Sequence, residues 1–200
     1  NTTLFRSRLE ASAEYQSRLA RFLENHDEQR RAVVFPNARL SAAGTLMGTL
    51  PGMRFYHQGE LEGLRNYQPI TLRIAAPEPP DPYCSAFFEK ILRLTNEDVF
   101  HRGRWTLLDI SPEGDATSSS LIGYEWRTES SWKLLVVNMG QSASQGRVKL
   151  GDRVRVDQKY SFHDELNEVV YPREGRELHD VGLFVRLEAG QAHIFDITPV

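Results

Sequence analysis

The chain has 200 residues, of which 40% are hydrophobic and 26% charged, and its formal net charge is −3. This composition is ordinary for a globular protein and allows one large or two small domains. The small net charge, with no sustained Lys/Arg block, argues against nucleic acid or an anionic membrane surface as a partner. No apolar run approaches the ~20 residues that span a bilayer, and the N-terminal segment lacks the apolar stretch of a signal peptide.

The only cysteine, Cys84, excludes an intramolecular disulfide and therefore the disulfide framework of many small secreted proteins. This favours the cytosol as the compartment without excluding secretion. Cys84 lies among the apolar positions of a predicted helix, so we interpret it as a small core residue.

The first predicted elements are a helix or structured loop over residues 9–18 and a strand over residues 19–23. The strand leads to Asp27, and the charged residues that follow this acid are typical of a βα loop. The chain therefore places a polar cluster at the C-terminal end of an apolar strand.

A helix and a second strand follow. The apolar residues between 40 and 50 fall on one helical stripe, which Asn37 can cap and which Pro51-Gly52 ends. A second apolar run then covers residues 52–60. Because a strand, helix and strand in this order make a crossover, the two strands are predicted to be parallel, with the helix outside.

A proline-rich passage leads into the most clearly marked helix of the chain. Asp81 is a natural N-cap, and Pro82 occupies the first turn, where a missing N–H is tolerated. The apolar residues of the segment 83–94 cover a broad helical face. This width predicts a helix packed against a wall of other elements.

After about residue 100 the pattern changes to short apolar runs separated by Gly, Ser and Asn, and we place a domain boundary near residues 101–103. Many short strands at this spacing are typical of an antiparallel sandwich. The predicted strand runs cover residues 105–110, 121–127, 132–137, 147–150, 154–162 and 183–197.

Two segments of the first half resemble a known family. "RFLENHDEQR" at residues 21–30 is similar to the seventh-strand motif of the α-amylase family of glycoside hydrolases and transglycosylases. "GMRFYHQGELEG" at residues 52–63 would be the eighth strand. The resemblance implies an α/β plus all-β fold, with residues 1–100 as the end of a (β/α)8 barrel and residues 101–200 as a C-terminal β-sandwich. The start at such a late strand suggests a C-terminal piece of a longer protein.

The resemblance also implies roles for the polar cluster. In this family a nucleophile follows strand four and an acid/base carboxyl follows strand five, and neither can be assigned here. A third acid, after strand seven, grips sugar hydroxyls and stabilises the cation-like transition state. By motif that acid is Asp27, with His26 as its substrate-binding partner, while Glu24 and Asn25 are expected to support the strand end.

A His-Asp pair alone means little, and the chain has two more, His163-Asp164 and His179-Asp180. These two are interpreted as ordinary surface or loop pairs. They could also suggest a metal-dependent phosphohydrolase, but such ligand pairs sit on helices, and both lie in strand-rich sequence. The apolar strand before His26-Asp27 and the second motif after it favour a functional role for that pair.

Glu60 is placed by the second motif on the rim of the active site. Leu61 separates it from Glu62, whereas members of the family often carry two adjacent acids here. A substrate or calcium role for Glu60 therefore competes with a salt bridge to Arg54 or Arg65. No cofactor or metal is predicted for this chain; calcium in the parent protein has no support from it.

Aromatic residues offer a second route to sugar binding. Trp105, Trp126 and Trp132 could stack on sugar rings, but each lies within an apolar run, which favours the core or the join between the two halves. His57 and Tyr56 are similarly expected to fill the barrel and pack at its rim.

These observations predict the C-terminal part of an α-amylase-like enzyme acting on α-linked glucans or glucosides. A catalytically silent relative that serves as a carbohydrate-binding or protein-interaction module is the alternative. Hydrolysis and glucosyl transfer are left open. Because two barrel strands leave unpaired edges, residues 1–100 are expected to dock against the remainder of a barrel or a second copy of the chain, whereas the sandwich is expected to be self-sufficient.

Overall fold

Helices dominate the first half of the chain and strands the second. The computed structural model describes residues 2–35, 37–71, 73–74 and 76–200. The helices are α1 (Thr2–Leu9), α2 (Ala13–Ser17), α3 (Arg31–Val34), α4 (Leu40–Thr49), α5 (Pro82–Thr95), α6 (Val99–Arg102) and α7 (Gly175–Asp180), with 3₁₀ turns at Asn37–Arg39, Thr117–Ser120 and Gly151–Arg153. The strands are β1 (Ala20–Arg21), β2 (Met53–Arg54), β3 (Arg104–Leu108), β4 (Ile110–Ser111), β5 (Leu121–Arg127), β6 (Trp132–Asn138), β7 (Ser144–Val148), β8 (Lys159–Asp164), β9 (Val169–Glu174), β10 (Leu183–Leu187) and β11 (Ala192–Pro199).

Two antiparallel sheets form the second half. The larger has the order β3-β5-β6-β11-β8-β9 and the smaller β10-β7-β4. Apolar side chains of both sheets, among them Leu134, Phe162 and Val185, form one buried cluster. The predicted antiparallel sandwich is therefore confirmed.

The large sheet is also covered on its other face. Every residue of β6 is buried, and because side chains alternate along a strand, its residues divide between two clusters. Leu134 and Val136 belong to the sandwich cluster, whereas Leu135 and Val137 pack in a second cluster with residues of α4 and α5. The molecule thus stacks a helical layer, a large sheet and a small sheet.

The helical layer is joined to the sheet by hydrogen bonds as well as by apolar contact. Trp126 donates its indole N–H to the Thr49 carbonyl at 2.7 Å, and the hydroxyls of Thr49 and Tyr124 lie 2.6 Å apart. The predicted boundary at residues 101–103 coincides with the turn from α6 into β3. The core, however, continues across this point, so the division into two domains stays a prediction from sequence texture.

The predicted parallel pair is present but short. Ala20 pairs with Met53 and Arg21 with Arg54 in parallel register, and each strand has two residues rather than the longer runs expected. Within the described residues neither strand has another strand neighbour, so nothing extends the ladder further. Two strands do not make a barrel, and the barrel assignment therefore stays a prediction.

Of the two predicted helix N-caps, one is present and one is not. Asp81 caps α5 by accepting from the Tyr83 and Cys84 amides, as predicted. The Asn37 cap is wrong, because a 3₁₀ turn begins at this residue and its side-chain amide donates to the Asp81 carboxylate at 2.7 Å. Asn37 therefore ties the start of α4 to the start of α5.

The strand predictions also need corrections. The run 105–110 is two strands, β3 and β4, which lie in different sheets. The run 147–150 covers only the end of β7, which begins at Ser144. The run 183–197 is two strands, β10 and β11, divided by a turn in which Gly190 has a φ of +73°. The run 154–162 becomes a strand only from Lys159 onward. Strand β9 was not predicted, because Pro172 interrupts its apolar pattern.

Candidate functional site

The parallel pair brings two distant segments to one edge. Since the carboxyl ends of parallel strands point the same way, the segments after β1 and after β2 leave the pair side by side. Arg30 spans them by donating to the Gln58 carbonyl at 2.7 Å. Both resembling motifs therefore meet at this edge.

Two glycines shape the second segment. Gly52 has a φ of +114°, and a Cβ there would lie 2.4 Å from the Leu19 carbonyl oxygen. Gly59 has a φ of +87°, with Leu64 2.7 Å from the position of a Cβ. Both glycines allow turns whose backbone conformation other residues would adopt only with strain.

Glu24 is the centre of the buried charges at this edge. Its Oε1 accepts from Arg30 Nη1 at 2.6 Å and lies 3.2 Å from His57 Nδ1. Its Oε2 accepts from the backbone amide of Arg31, the first residue of α3, at 2.5 Å. The predicted supporting role of Glu24 is confirmed, because it joins β1 to α3 and to the segment after β2.

Asn25 fixes the backbone of the loop beyond Glu24. Its Oδ1 accepts from the amides of Asp27 and Glu28 at 2.8 and 3.0 Å. The Tyr67 hydroxyl donates to the His26 carbonyl at 3.0 Å. These bonds confirm the supporting role of Asn25 and hold the main chain while the side chains of His26 and Asp27 project from it.

His26 and Asp27 are the exposed pair of this site. Their side chains are 52% and 79% exposed, and His26 Nε2 lies 3.4 Å from Asp27 Oδ2. A carboxylate offers only acceptors, and an imidazole can offer an N–H donor beside it. Together they can bind vicinal hydroxyl groups of a ligand, on a loop whose backbone is held from below.

The rim position predicted for Glu60 is wrong. Its side chain is fully buried, with Oε2 accepting from the His57 amide at 3.1 Å. Neither alternative salt bridge forms: Arg54 donates to the Thr95 and Phe100 carbonyls, and Arg65 to the Ala32 carbonyl. The tight exit at Gly59 turns the next side chain inward, which residue types alone did not reveal.

Burial raises the pKa of Glu60 to about 7, against the effect of the His57 amide and with a contribution from the nearby Glu24 carboxylate. A carboxyl that binds its proton more tightly when folded stabilises the fold most below its ordinary pKa of 4.5. That contribution declines as the pH rises towards 7, by about 3 kcal/mol in total. Glu60 is therefore a buried acid whose ionisation opposes folding.

We expect Glu60→Gln to flatten the pH dependence of stability between pH 5 and pH 8, because the amide cannot ionise. Urea unfolding at both pH values measures this as the change in free energy of unfolding. The exposed neighbour supplies the control, since Glu62→Gln should keep the wild-type difference. A Glu60→Gln variant with the full wild-type pH dependence would contradict the assignment.

Two arginines of the site, Arg30 and Arg31, are buried. The sequence indicated only that they belong to a charged loop. Arg31 donates to the Cys84 thiol sulfur at 2.8 Å, and its guanidinium lies 5.8 Å from the centre of the Phe88 ring. Burial raises the pKa of the thiol to about 11, so Cys84 stays protonated in the core, where it was predicted. The sequence signal for the burial of Arg30 is its spacing of six residues from Glu24. That spacing indicates an ion pair only when the loop is known to fold back on itself.

The tryptophans belong to the interior. Trp126 and Trp132 are buried, and Trp105 packs against the cluster between the large sheet and the helices. Trp132 donates its indole N–H to Glu125 Oε2 at 2.9 Å. The core placement of the tryptophans is confirmed. Tyr56 packs edge-on against Phe88, with ring centres 6.0 Å apart, in line with the packing role expected for it.

The other His-Asp pairs differ from the expectation in two ways. His179-Asp180 lies on the short helix α7 rather than in strand-rich structure. Asp164 is fully buried and binds His193, so it is not an ordinary surface acid. Within the described residues, no group of three or more His, Cys, Asp or Glu side chains could hold a metal ion.

The chain is similar to known proteins in its structure but not in its sequence. No protein-family model matches the chain, and no curated protein matches its sequence. A maltogenic α-amylase from Thermotoga neapolitana matches in structure with a TM-score of 0.72 and 18% identity, over 88% of this chain and 40% of that one. The α-amylase of Geobacillus thermoleovorans, solved with acarbose, matches with a TM-score of 0.72 and 16% identity, over 98% and 42%.

The chain has the fold of the C-terminal part of an α-amylase-family enzyme. The resemblance drawn from the two motifs is thus confirmed at the level of fold. A trehalulose synthase shares this α-amylase-type fold, with a TM-score of 0.62 and 13% identity over 98% of this chain and 46% of that one. The chain therefore spans less than half the length of the α-amylase-family structures that it matches.

Among the described residues, no helix is both long and apolar enough to cross a membrane.

Proposed function

We propose that the chain is the C-terminal part of an α-amylase-like retaining enzyme, in which Asp27 stabilises the transition state and His26 binds the substrate. The position and exposure of Asp27 carry this proposal. Asp27 is an exposed acid on a loop held by Asn25 and by the buried Glu24, at the carboxyl end of a parallel strand. In β/α barrels, catalytic groups sit at that end.

The chemistry follows from what a carboxylate can accept. An ionised Asp27 can accept two sugar hydroxyl protons at once, and those bonds strengthen as positive charge develops on the ring. His26, 3.4 Å away, can add a donor to the same sugar. The nucleophile and the acid/base carboxyl would be supplied by other strands of the barrel, about 5 Å from each other.

The substrate class proposed is an α-linked glucan or glucoside. The solved relative with acarbose and the maltogenic α-amylase support this class. Because a trehalulose synthase matches as well, the fold favours neither hydrolysis nor glucosyl transfer. Glu60 no longer contributes to the proposed substrate contacts, since it is buried.

The remainder of the barrel is the proposed partner of residues 1–100. Within the described residues, β1 and β2 pair only with each other, and Phe22, Met53 and Phe55 expose large apolar side chains beside them. Strands from the rest of the barrel would cover these edges, and a second copy of the chain is the alternative cover.

An enzyme assay tests the proposal directly. We expect the 200-residue chain to show no turnover of soluble starch, whereas the same chain within its full-length protein should release reducing sugar or a transfer product. Turnover by the chain alone would contradict the proposed division of catalytic groups. No turnover by the full-length protein, combined with binding of starch, would favour the catalytically silent relative instead.

A further inference from the structure

A hollow of about 460 Å³ lies at one end of the sandwich, between the last residue of β5 and the segment that follows β7. It shares no residue with the Asp27 loop. Three of its six lining residues are cationic and one is acidic: Arg127, Lys149, Leu150, Gly151, Asp152 and Arg153. A ligand in this hollow would therefore meet mainly positive charge.

One buried acid positions two of these cations. Glu125 is 4% exposed, and its Oε1 accepts from Arg153 Nε at 2.9 Å while its Oε2 accepts from the Trp132 indole. Arg127 lies opposite Trp132 in the register of β5 and β6, and its guanidinium lies 4.3 Å from the centre of the Trp132 ring. Such stacking favours a fixed orientation of the guanidinium plane. Glu125 therefore orders Arg153 directly and Arg127 through the ring on which it stacks.

Arg104 adds a fourth cation beside the hollow. It lies directly opposite Arg127 in the register of β3 and β5, so both side chains leave the same face of the sheet. Like charges in this position destabilise a sheet. Within the part of the chain that the structure describes, neither arginine makes an ion pair with an acid. An anion bound between the two side chains would relieve their repulsion.

The cations keep N–H donors that the protein does not use. Arg153 donates from Nε and Nη1, which leaves its Nη2 group for a ligand. Lys149 donates one of its three ammonium hydrogens to the Val181 carbonyl at 3.2 Å. The stacked guanidinium of Arg127 carries five N–H donors in one plane, a geometry that suits two oxygens of a phosphate at once.

The charge of the hollow favours a doubly charged anion. The four cations face two acids, Glu125 and Asp152, which leaves a formal excess of two positive charges. Asp152 is fully exposed, and its carboxylate lies 3.4 Å from His179 Nε2. A phosphate monoester carries about −1.5 to −2 charges at neutral pH, whereas a carboxylate carries only one. A phosphoryl group therefore matches the hollow better than the side chain of an acidic peptide.

We propose that this hollow binds a phosphoryl group, either as inorganic phosphate or as the monoester of a small molecule. Its oxygens accept from the guanidinium groups of Arg127 and Arg153 and from the Lys149 ammonium. The site needs no reaction at the Asp27 loop, so it is independent of the proposed function.

Isothermal titration calorimetry of the full-length protein with inorganic phosphate tests this site, with the ionic strength held constant by chloride. We expect the wild type to bind, and Arg127→Gln and Lys149→Gln each to weaken the affinity at least about tenfold. Arg173→Gln is the matched control, because Arg173 also stacks on an aromatic ring, that of Tyr171 at 5.4 Å, but lies outside the hollow. Its affinity should equal that of the wild type. All three cations are exposed or half-buried, so melting in chloride should stay unchanged.

Two further titrants identify the source of the phosphoryl group. Tighter binding of inorganic phosphate than of glycerol phosphate would indicate the free ion, and the reverse order would indicate a monoester. Acetate should bind more weakly than either. Equal affinity for acetate and phosphate, wild-type affinity in both hollow variants, or no binding by the wild type would overturn the proposal. Because the readout is binding, a full-length protein without turnover of starch would leave these results unaffected.

Discussion

Replacing Asp27 by asparagine in the full-length protein is expected to lower turnover of an α-glucan about 10²-fold or more, the scale of one lost transition-state contact of roughly 3 kcal/mol. The fold should survive, because the Asp27 side chain is exposed and only its backbone amide is tied into the loop. Initial rates on soluble starch, with melting curves of both proteins, measure the two effects separately.

Glu28→Gln is the matched control for this variant. Glu28 is the next acid along the loop, is exposed, and is held through the same Asn25 side chain. We expect its turnover to stay near that of the wild type. If Asp27→Asn and Glu28→Gln behaved alike, with unchanged melting, Asp27 would be an ordinary loop acid and the proposed site would fail.

The second large effect concerns stability. Glu24→Ala should destabilise the protein by about 3–5 kcal/mol, because it leaves the buried guanidinium of Arg30 without its carboxylate. The two side chains are 1% and 3% exposed and 2.6 Å apart. Because a domain is stable by only about 5–15 kcal/mol, a loss of this size will be plain in a urea unfolding curve.

An exposed ion pair of similar length provides the comparison. Glu14 and Arg18 are 2.5 Å apart, but their side chains are 74% and 77% exposed. Removing Glu14 should cost less than about 1 kcal/mol, since water already screens the pair. Equal losses for Glu14→Ala and Glu24→Ala would show that Glu24 does not hold the loop in the way its contacts indicate.

Local rules predicted the elements whose causes are local. Asp81 and Pro82 mark the start of α5 in any context, and the apolar run at Leu121–Arg127 is long enough to predict β5 with its full bounds. The parallel pairing of β1 with β2 followed from the order of elements alone. These predictions needed no knowledge of distant parts of the chain.

The errors arise where distant parts of the chain decide the environment. Arg31 and Glu60 are charged residues of loop-like sequence, and they are buried because two loops close over one another beside α5. Asp164 is buried because β11 brings His193 against it. Periodicity cannot reveal such burial, since each case depends on a partner more than twenty residues away.

Of the candidate site, the motif identified the loop and the supporting roles of Glu24 and Asn25, which the hydrogen bonds confirm. The catalytic role of Asp27 stays a prediction. The buried arginines went unrecognised, although one of them, Arg30, connects the two motifs by donating to the Gln58 carbonyl.

The bond between α4 and β5 has a consequence for how such chains can be recombined. Thr49 hydrogen-bonds both the Trp126 indole and the Tyr124 hydroxyl. A helical layer joined to a foreign sandwich would leave two buried polar groups without partners, and each would cost about 1–3 kcal/mol of stability. A chimera cut at residue 102 would meet this mismatch unless the sheet-facing residues of α4 were exchanged with the sandwich. Helix α4 and the sheet that it packs on are therefore expected to change together among relatives, as one inherited unit.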